Sequence, residues 1–289
     1  MNALDQAKQL FLEGLQLLED EQIELAENKL LQAHQLLPDR LSILVNLSAV
    51  QIKLNKFDEA KVTANLALAI DSTHADIWLN LGIAEKAMGS HAQALNFLDQ
   101  ALHFNPALAA AWMHKGWIHM AQKQAPQAQA CFDQATHLDP AFALTWQADA
   151  CISLGALFYN SQQVEQAIAP YLQALASGHH TALAVQSLLV IYAELKHHEA
   201  LNALIQQQGA WVQKDALCNE LLGFYYFNTD QLDLAQQHFR QAALLSQHQP
   251  NTNNPQEWPV SEPRLRHDLE QLTLLQQRDL QSESGQAAL

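Results

Sequence analysis

A period of 34 residues is the feature of this sequence that most restricts its fold. Tryptophan recurs at that interval at Trp78, Trp112 and Trp146. Small residues recur at three further positions of the same frame. These series are Ala26, Ala60, Ala94 and Ala128; Ala33, Ala67, Ala101 and Ala135; and Gly14, Ser48, Gly82, Gly116 and Ala150. Repetition at a fixed period of about 20 to 50 residues is typical of chains that stack copies of one supersecondary unit.

Each repeat is predicted to hold two amphipathic helices, because apolar residues recur at the spacing of one helical face. In the third repeat these helices are "ADIWLNLGIAEKAM" and "HAQALNFLDQALHF". Gly89 between them suits a left-handed turn at the end of the first helix, and Asn55 holds the matching place one repeat earlier. The small residues let neighbouring helix backbones approach closely, and large residues such as Leu98 fill the remaining space.

The order of residue types within the frame resembles the tetratricopeptide repeat, which has Trp-x-x-Leu-Gly followed by Ala, a large apolar residue, Ala and Pro. The two best copies are Trp78-Leu81-Gly82-Ala94-Leu98-Ala101-Pro106 and Trp112-Gly116-Ala128-Phe132-Ala135-Pro140. The resemblance implies an all-α fold, a right-handed α-solenoid of about seven helix-turn-helix repeats with a C-terminal helix. We expect repeats near residues 7–40, 41–74, 75–108, 109–146, 147–181, 182–215 and 216–249, which together form a solenoid over residues 1–249.

The frame is interrupted once. After Trp146 and Ala150 the pattern resumes five residues late, at Leu154 and Gly155. We expect one lengthened first helix over residues 141–160 to absorb the extra residues.

The periodicity ends after residue 249. Residues 250–263 are predicted to be a linker, because Pro, Asn and Ser break any helical pattern there. Residues 264–281 are predicted to form a helix with leucines along one side, and residues 282–289 a frayed tail. A stacked array needs a cap for its last apolar face, so this helix is expected to cap the repeats. The alternative is that it docks a partner or fills the groove of its own chain.

Charge and composition argue against several classes of function. The formal net charge is −15, from 15 Lys and Arg against 30 Asp and Glu, and no basic stripe indicates binding to nucleic acid. No apolar run reaches the roughly 18 residues of a membrane span. Cys131, Cys151 and Cys218 are odd in number and form no CxxC pair, which favours free thiols in a reducing compartment. We therefore expect a cytoplasmic protein that contacts neither membrane nor nucleic acid.

No motif in the sequence indicates catalysis, and no cofactor is expected. His74-Ala75-Asp76 and His137-Leu138-Asp139 each spell HxD, but both aspartates have a role at a helix end. His179-His180 and His197-His198 fall in turns without a third ligand, so exposed histidines are expected there. The sequence thus predicts a protein that is not an enzyme and has no metal site.

The function of a repeat array is expected on its concave groove, which the first helix of each repeat lines. The predicted partner-binding residues are Asn46, Leu79, Asn80, Ile83, Met113, His114, Trp117, Met120 and Tyr159. Other residues predicted to point inward are Phe11, Leu15, Val45, Ala49, Ile152, Phe224 and Phe227. The expected apolar anchors are Leu79, Ile83, Met113 and Trp117. The amides of Asn46 and Asn80 are expected to orient the backbone of a bound segment.

Two known groove types provide comparisons. Asn46, Asn80 and His114 share one repeat position, and the two asparagines resemble the asparagine ladder of the glycosyltransferases that modify serine and threonine. The two-carboxylate clamp that grips acidic chaperone tails is not matched, because apolar residues and Asp76 stand where its cations belong.

Three hypotheses follow. The first is a non-enzymatic scaffold whose groove binds a protein or peptide through apolar anchors, as an amphipathic helix or an extended segment. The second is a substrate-recruiting or regulatory subunit of a separate enzyme, of the hydroxylase or glycosyltransferase type. "RLRHDLEQLTLL" resembles the segment that joins such repeats to an iron- and 2-oxoglutarate-dependent hydroxylase domain. The third is a self-assembling scaffold, a homo-oligomer whose mass would depend on concentration.

Overall fold

The computed structural model describes residues 2–246, and within them the chain forms helices α1 to α15. Fourteen of these helices form seven successive pairs, and the short α9 stands between the fourth and fifth pairs. The pairs are α1 (Ala3–Glu19) and α2 (Ile23–Leu36); α3 (Leu41–Lys53) and α4 (Phe57–Ile70); α5 (Ala75–Ala87) and α6 (His91–Phe104); α7 (Ala109–Ala121) and α8 (Ala125–Leu138); α10 (Gln147–Asn160) and α11 (Val164–Ala176); α12 (Thr181–Glu194) and α13 (His198–Val212); and α14 (Ala216–Asn228) and α15 (Leu232–Ser246). The predicted all-α fold of about seven helix-turn-helix repeats is confirmed. The predicted linker at 250–263, the helix at 264–281 and the tail at 282–289 lie outside the described residues.

The chain divides into two compact units. The first ends at Ala150 and the second begins at Cys151, so the boundary falls inside α10. In residues 2–246, no helix combines the length and the apolar character needed to cross a bilayer.

The turn inside each pair follows the repeat frame. One residue per turn adopts a left-handed conformation, with φ between 57° and 81°. These residues are Glu21, Asn55, Gly89, Lys123, Gln162, Lys196 and Asp230. The left-handed turns predicted at Asn55 and Gly89 are therefore confirmed. Successive members are 34 residues apart, except that Gln162 follows Lys123 after 39, so the five extra residues lie between those two turns.

Small residues of the 34-residue series bring the two helices of a pair into close contact. A Cβ atom added to Gly82 would lie 2.8 Å from the Leu98 side chain, and one added to Gly116 would lie 2.5 Å from the Phe132 ring. Since carbon atoms pack at about 3.5 to 4.0 Å, no larger side chain fits at either glycine without movement of its neighbour. The predicted packing of large residues against small ones is confirmed at these positions.

The tryptophans fix the start of a repeat to the end of the one before. The indole N–H of Trp78 donates to the carbonyl oxygen of Ser72 at 2.8 Å, and that of Trp112 donates to the carbonyl oxygen of Pro106 at 3.3 Å. Both acceptors are six residues upstream of the tryptophan. Trp78 and Trp112 therefore join neighbouring repeats by a hydrogen bond as well as by apolar packing.

The prediction of one helix over residues 141–160 is wrong. Asp139 accepts a hydrogen bond from the Phe142 backbone N–H at 2.9 Å and starts α9 (Pro140–Ala143), after which the chain turns and α10 begins at Gln147. Trp146 is 8% exposed and packs against Phe132, with 5.3 Å between ring centroids. The short helix and the turn after it therefore lengthen the connection between the fourth and fifth pairs. The indole N–H of Trp146 is buried without a hydrogen-bond partner among the described residues.

In the second unit, the pair α12 and α13 departs from the repeat pattern. Leu189 and Leu201 stand where the other pairs have small residues, and both are buried. The last pair begins with a capped helix, since the Asp215 side chain accepts a hydrogen bond from the Cys218 backbone N–H at 2.7 Å at the start of α14.

Candidate functional site

The first helices of neighbouring repeats in the first unit contact one another: α3 packs on α5, and α5 packs on α7. Each presents one side made of equivalent residues, which recur every 34 positions. We call this surface the first-helix face. It consists of Val45, Asn46, Ala49 and Ile52 on α3; Leu79, Asn80, Ile83 and Lys86 on α5; and Met113, His114, Trp117 and Met120 on α7. Eight of the nine predicted partner-binding residues belong to it.

The α7 part of this face is apolar and half-buried. Met113, Trp117 and Met120 are each partly exposed to solvent, and so is Ile83 on α5. One side of the Trp117 ring packs edge-on against Phe132 of α8, with 5.3 Å between centroids. Trp117 is therefore held in place by the fold while part of its surface remains available to a ligand.

Two predicted residues are covered. Leu79 is 8% exposed and belongs to a core cluster with Leu98 and Ile118, so it can offer a ligand little surface. Asn80 is 7% exposed, and its Nδ2 donates to Ser48 Oγ at 2.8 Å.

The amides predicted to orient a peptide are engaged within the fold. Asn80 Nδ2 also lies 3.2 Å from the Val45 carbonyl oxygen, so this side chain bridges α5 to α3. Asn46 Nδ2 donates to the carbonyl oxygen of Ser42, one helical turn earlier, at 2.8 Å. Sequence spacing could place these amides on the face but could not tell that their Nδ2 groups donate to nearby oxygens of the fold.

Tyr159 belongs to the second unit, so the candidate site is confined to first-unit residues. Its hydroxyl donates to Glu194 Oε2 at 3.1 Å, and burial together with this carboxylate raises the pKa of the phenol. Ile152, Phe224 and Phe227 are also second-unit residues and are half-buried.

Ile52 and Lys86 are the two residues of this face that the sequence prediction missed, and Lys86 is the charged one. Its ammonium donates to His114 Nδ1 at 3.1 Å, which joins α5 to α7. An ammonium can only donate, so the imidazole must carry its proton on Nε2. Burial, aided by the Lys86 charge, lowers the pKa of His114 to about 3, and burial also lowers the pKa of Lys86. The sequence does contain a signal for Lys86 itself, since it stands 34 residues after Ile52 and 34 before Met120, and both of those residues are apolar.

Lys86 differs from the other partly buried lysines of the first unit. Lys29, Lys61 and Lys115 each form an ion pair with a carboxylate of the neighbouring helices. Lys86 makes no ion pair with any carboxylate of the described residues. Its charge is therefore partly removed from water without a counter-charge, an arrangement that costs free energy.

The residues considered as metal ligands do not gather into a larger set within the described part of the chain. In residues 2–246, no group of three or more His, Cys, Asp or Glu side chains is arranged to hold a metal ion. His179, His180, His197 and His198 are exposed, as predicted for turn residues. Cys131, Cys151 and Cys218 are buried and form no disulfide within residues 2–246, and burial raises the pKa of Cys131 and Cys218.

Comparison with known proteins supports the repeat interpretation. Residues 85–147 match the family model described as a tetratricopeptide repeat. No sequence among the curated proteins matches the chain. The fold resembles that of pilF from Pseudomonas aeruginosa, at 18% identity and a TM-score of 0.55, over 72% of this chain and 93% of the other.

A second solved structure is similar over nearly the whole length. A tetratricopeptide repeat protein from Parabacteroides merdae matches 93% of this chain and 99% of its own, at 15% identity and a TM-score of 0.50. At such identities the similarity concerns the fold alone. The 34-residue period and the seven helix pairs agree with the matched family model, and residues 85–147 are identified as tetratricopeptide repeat sequence within a chain of that fold.

Proposed function

We propose that this protein is a non-catalytic interaction scaffold, and that the first-helix face binds an apolar segment of a partner protein. The observation that supports this proposal most directly is the half-buried group Met113, Trp117 and Met120 on α7. Grouped aromatic and methionine side chains on a surface usually mark a binding site. Trp117 is the expected main anchor, because a large ring held in place by Phe132 loses little entropy on binding.

The hydrogen bonding of the face favours a helical ligand over an extended one. An extended peptide would need side-chain amides whose N–H groups are free to donate to its backbone, and Nδ2 of Asn46 and of Asn80 already donates within the fold. An amphipathic helix satisfies its own backbone and needs only apolar contact. Neighbouring helices pack about 8 to 10 Å apart, so the face spans roughly 20 Å from α3 to α7. About fourteen residues of α-helix cover that distance.

The proposal can be tested by selection from a displayed library of random peptides about fourteen residues long. The baits are the wild type, Trp117→Glu and Phe104→Glu. Phe104 is a partly exposed aromatic residue of α6, outside the first-helix face, and provides the matched control. Circular dichroism verifies that each bait is folded, and Met120→Glu replaces Trp117→Glu if the latter is not.

We expect the wild type and Phe104→Glu to enrich the same peptides, with apolar residues at helical spacing, and Trp117→Glu to lose them. Enrichment of the same peptides by all three baits would show that they bind outside this face, which would contradict the proposal. Failure of the wild type to enrich any peptide would contradict the proposal.

A further inference from the structure

We infer that Lys86 and His114 form a carboxylate-binding subsite within the first-helix face, which takes one Asp or Glu side chain of an otherwise apolar partner helix. This inference rests on the proposed function and deepens it, because it specifies the chemistry of the partner.

The first argument is the isolation of the charge. On the first-helix face, Lys86 is the one Lys, Arg, Asp or Glu among twelve residues. The residues at the equivalent position of the neighbouring repeats, Ile52 and Met120, are apolar. A lone ammonium among apolar neighbours loses hydration in any complex that covers the face, so a ligand without an acceptor there would bind poorly.

The second argument is the unused hydrogen-bonding capacity of the ammonium. Lys86 has three N–H donors, and within the described residues it directs one of them to His114 Nδ1. Because the imidazole is neutral, it positions the ammonium without neutralising it. A carboxylate oxygen can accept from the remaining donors in a charge-assisted hydrogen bond, which is stronger than a neutral one.

The third argument concerns the number of carboxylates. The chain has a formal net charge of −15, so a strongly acidic ligand would be repelled. The face has one cation, flanked on both sides by Ile52 and Met120. The complementary ligand therefore has one carboxylate between apolar residues. This subsite is separate from the two-carboxylate clamp, because Asp76 of that pattern lies ten residues before Lys86, about 15 Å along α5.

The same random peptide library tests the inference, with the wild type, Lys86→Met and Lys86→Glu as baits. Met keeps the length and apolar stem of lysine without its charge. We expect wild-type peptides to share one Asp or Glu at a fixed register from their apolar residues. Lys86→Met should select the same apolar pattern without the acidic residue, and Lys86→Glu should select Lys or Arg in its place. If either variant is unfolded, Lys86→Gln, which keeps N–H donors without charge, takes its place.

A synthesised wild-type peptide then provides the quantitative test. Replacement of its acidic residue by the matching amide should weaken binding at least about tenfold on the wild type and less than about twofold on Lys86→Met. Apolar peptides with equal acidic content on the wild type and Lys86→Met would overturn the subsite and leave the proposed function intact. Absence of any enriched peptide would overturn both.

Discussion

On the first-helix face, the type of residue at most positions follows the 34-residue repeat. Lys86 departs from it, because it is a charged residue at a position that is otherwise apolar. The same position holds Ile52 in the preceding repeat and Met120 in the following one. Its polar partner, His114, occupies a position that Asn46 and Asn80 fill elsewhere. The sequence places all these residues on one face. The pairing of Lys86 with His114 depends on how α5 packs against α7, and spacing along the chain does not give that.

The protonation of His114 makes stability depend on pH. The folded-state pKa is about 3, whereas an unfolded histidine titrates near 6.5. Between these values the unfolded chain binds a proton that the folded chain does not, so the free energy of unfolding falls as pH drops below about 6.5.

We expect His114→Gln to remove a loss of about 1 to 2 kcal/mol between pH 7 and pH 5. Urea unfolding at several pH values measures the difference from the wild type. His103→Gln, at an exposed site on α6, is the control and should leave the pH dependence as it is. Identical profiles for His114→Gln and the wild type would show that His114 protonates freely in the folded state.

At the scale of the secondary-structure elements, the helix pairs were the feature that the sequence predicted best. Their number and their left-handed turns follow from the 34-residue period, because each series of small or turn-forming residues has a geometric reason. The break at Leu144–Trp146 was missed, since helical periodicity continues through "AFALTWQADACISLGALFYN". The turn at these residues accompanies burial of the Trp146 ring against Phe132 of α8, a tertiary contact that helical periodicity does not reveal.

Close approach of α7 and α8 makes Gly116 sensitive to substitution. Gly116→Ala should lower the free energy of unfolding by about 1 to 3 kcal/mol, because the new Cβ would overlap the Phe132 ring. Gly209→Ala in α13 is the matched control, since nothing lies within 4 Å of a Cβ there. The control should be stabilised by up to about 1 kcal/mol. Equal effects of the two substitutions in urea unfolding would refute the packing argument.

The indole hydrogen bonds give a second comparison between elements. Trp112→Phe loses a bond to Pro106 O, whereas Trp146→Phe removes an N–H that has no partner. We expect Trp112→Phe to be more destabilising than Trp146→Phe by about 1 kcal/mol or more, since an unsatisfied buried donor itself costs free energy. Thermal unfolding of the two variants measures this difference. The opposite order would mean that ring size, and not hydrogen bonding, decides these positions.

At the scale of the whole molecule, the fold was far more predictable than the ligand. The same helix pair recurs seven times, so a wrong prediction for one repeat leaves the predicted architecture unchanged. Partner recognition depends on which side chains stay uncovered, and this differs between repeats. Leu79 and Trp117 both belong to the face by spacing, yet Leu79 is covered and Trp117 is half-exposed. Periodicity cannot separate them, because it assigns both to the same side of a first helix.

Binding of a partner helix to the first-helix face is proposed to depend on Trp117. The most direct measurement is the affinity of a fluorescein-labelled peptide selected by the wild type, titrated against Trp117→Ala and Phe104→Ala. Loss of a main anchor should cost about 2 kcal/mol, or roughly 30-fold in affinity, for Trp117→Ala. Phe104→Ala should bind within about twofold of the wild type, since an isolated surface substitution outside a site changes little. Equal affinity of Trp117→Ala and the wild type, with both proteins folded, would show that Trp117 is not the anchor of a partner helix.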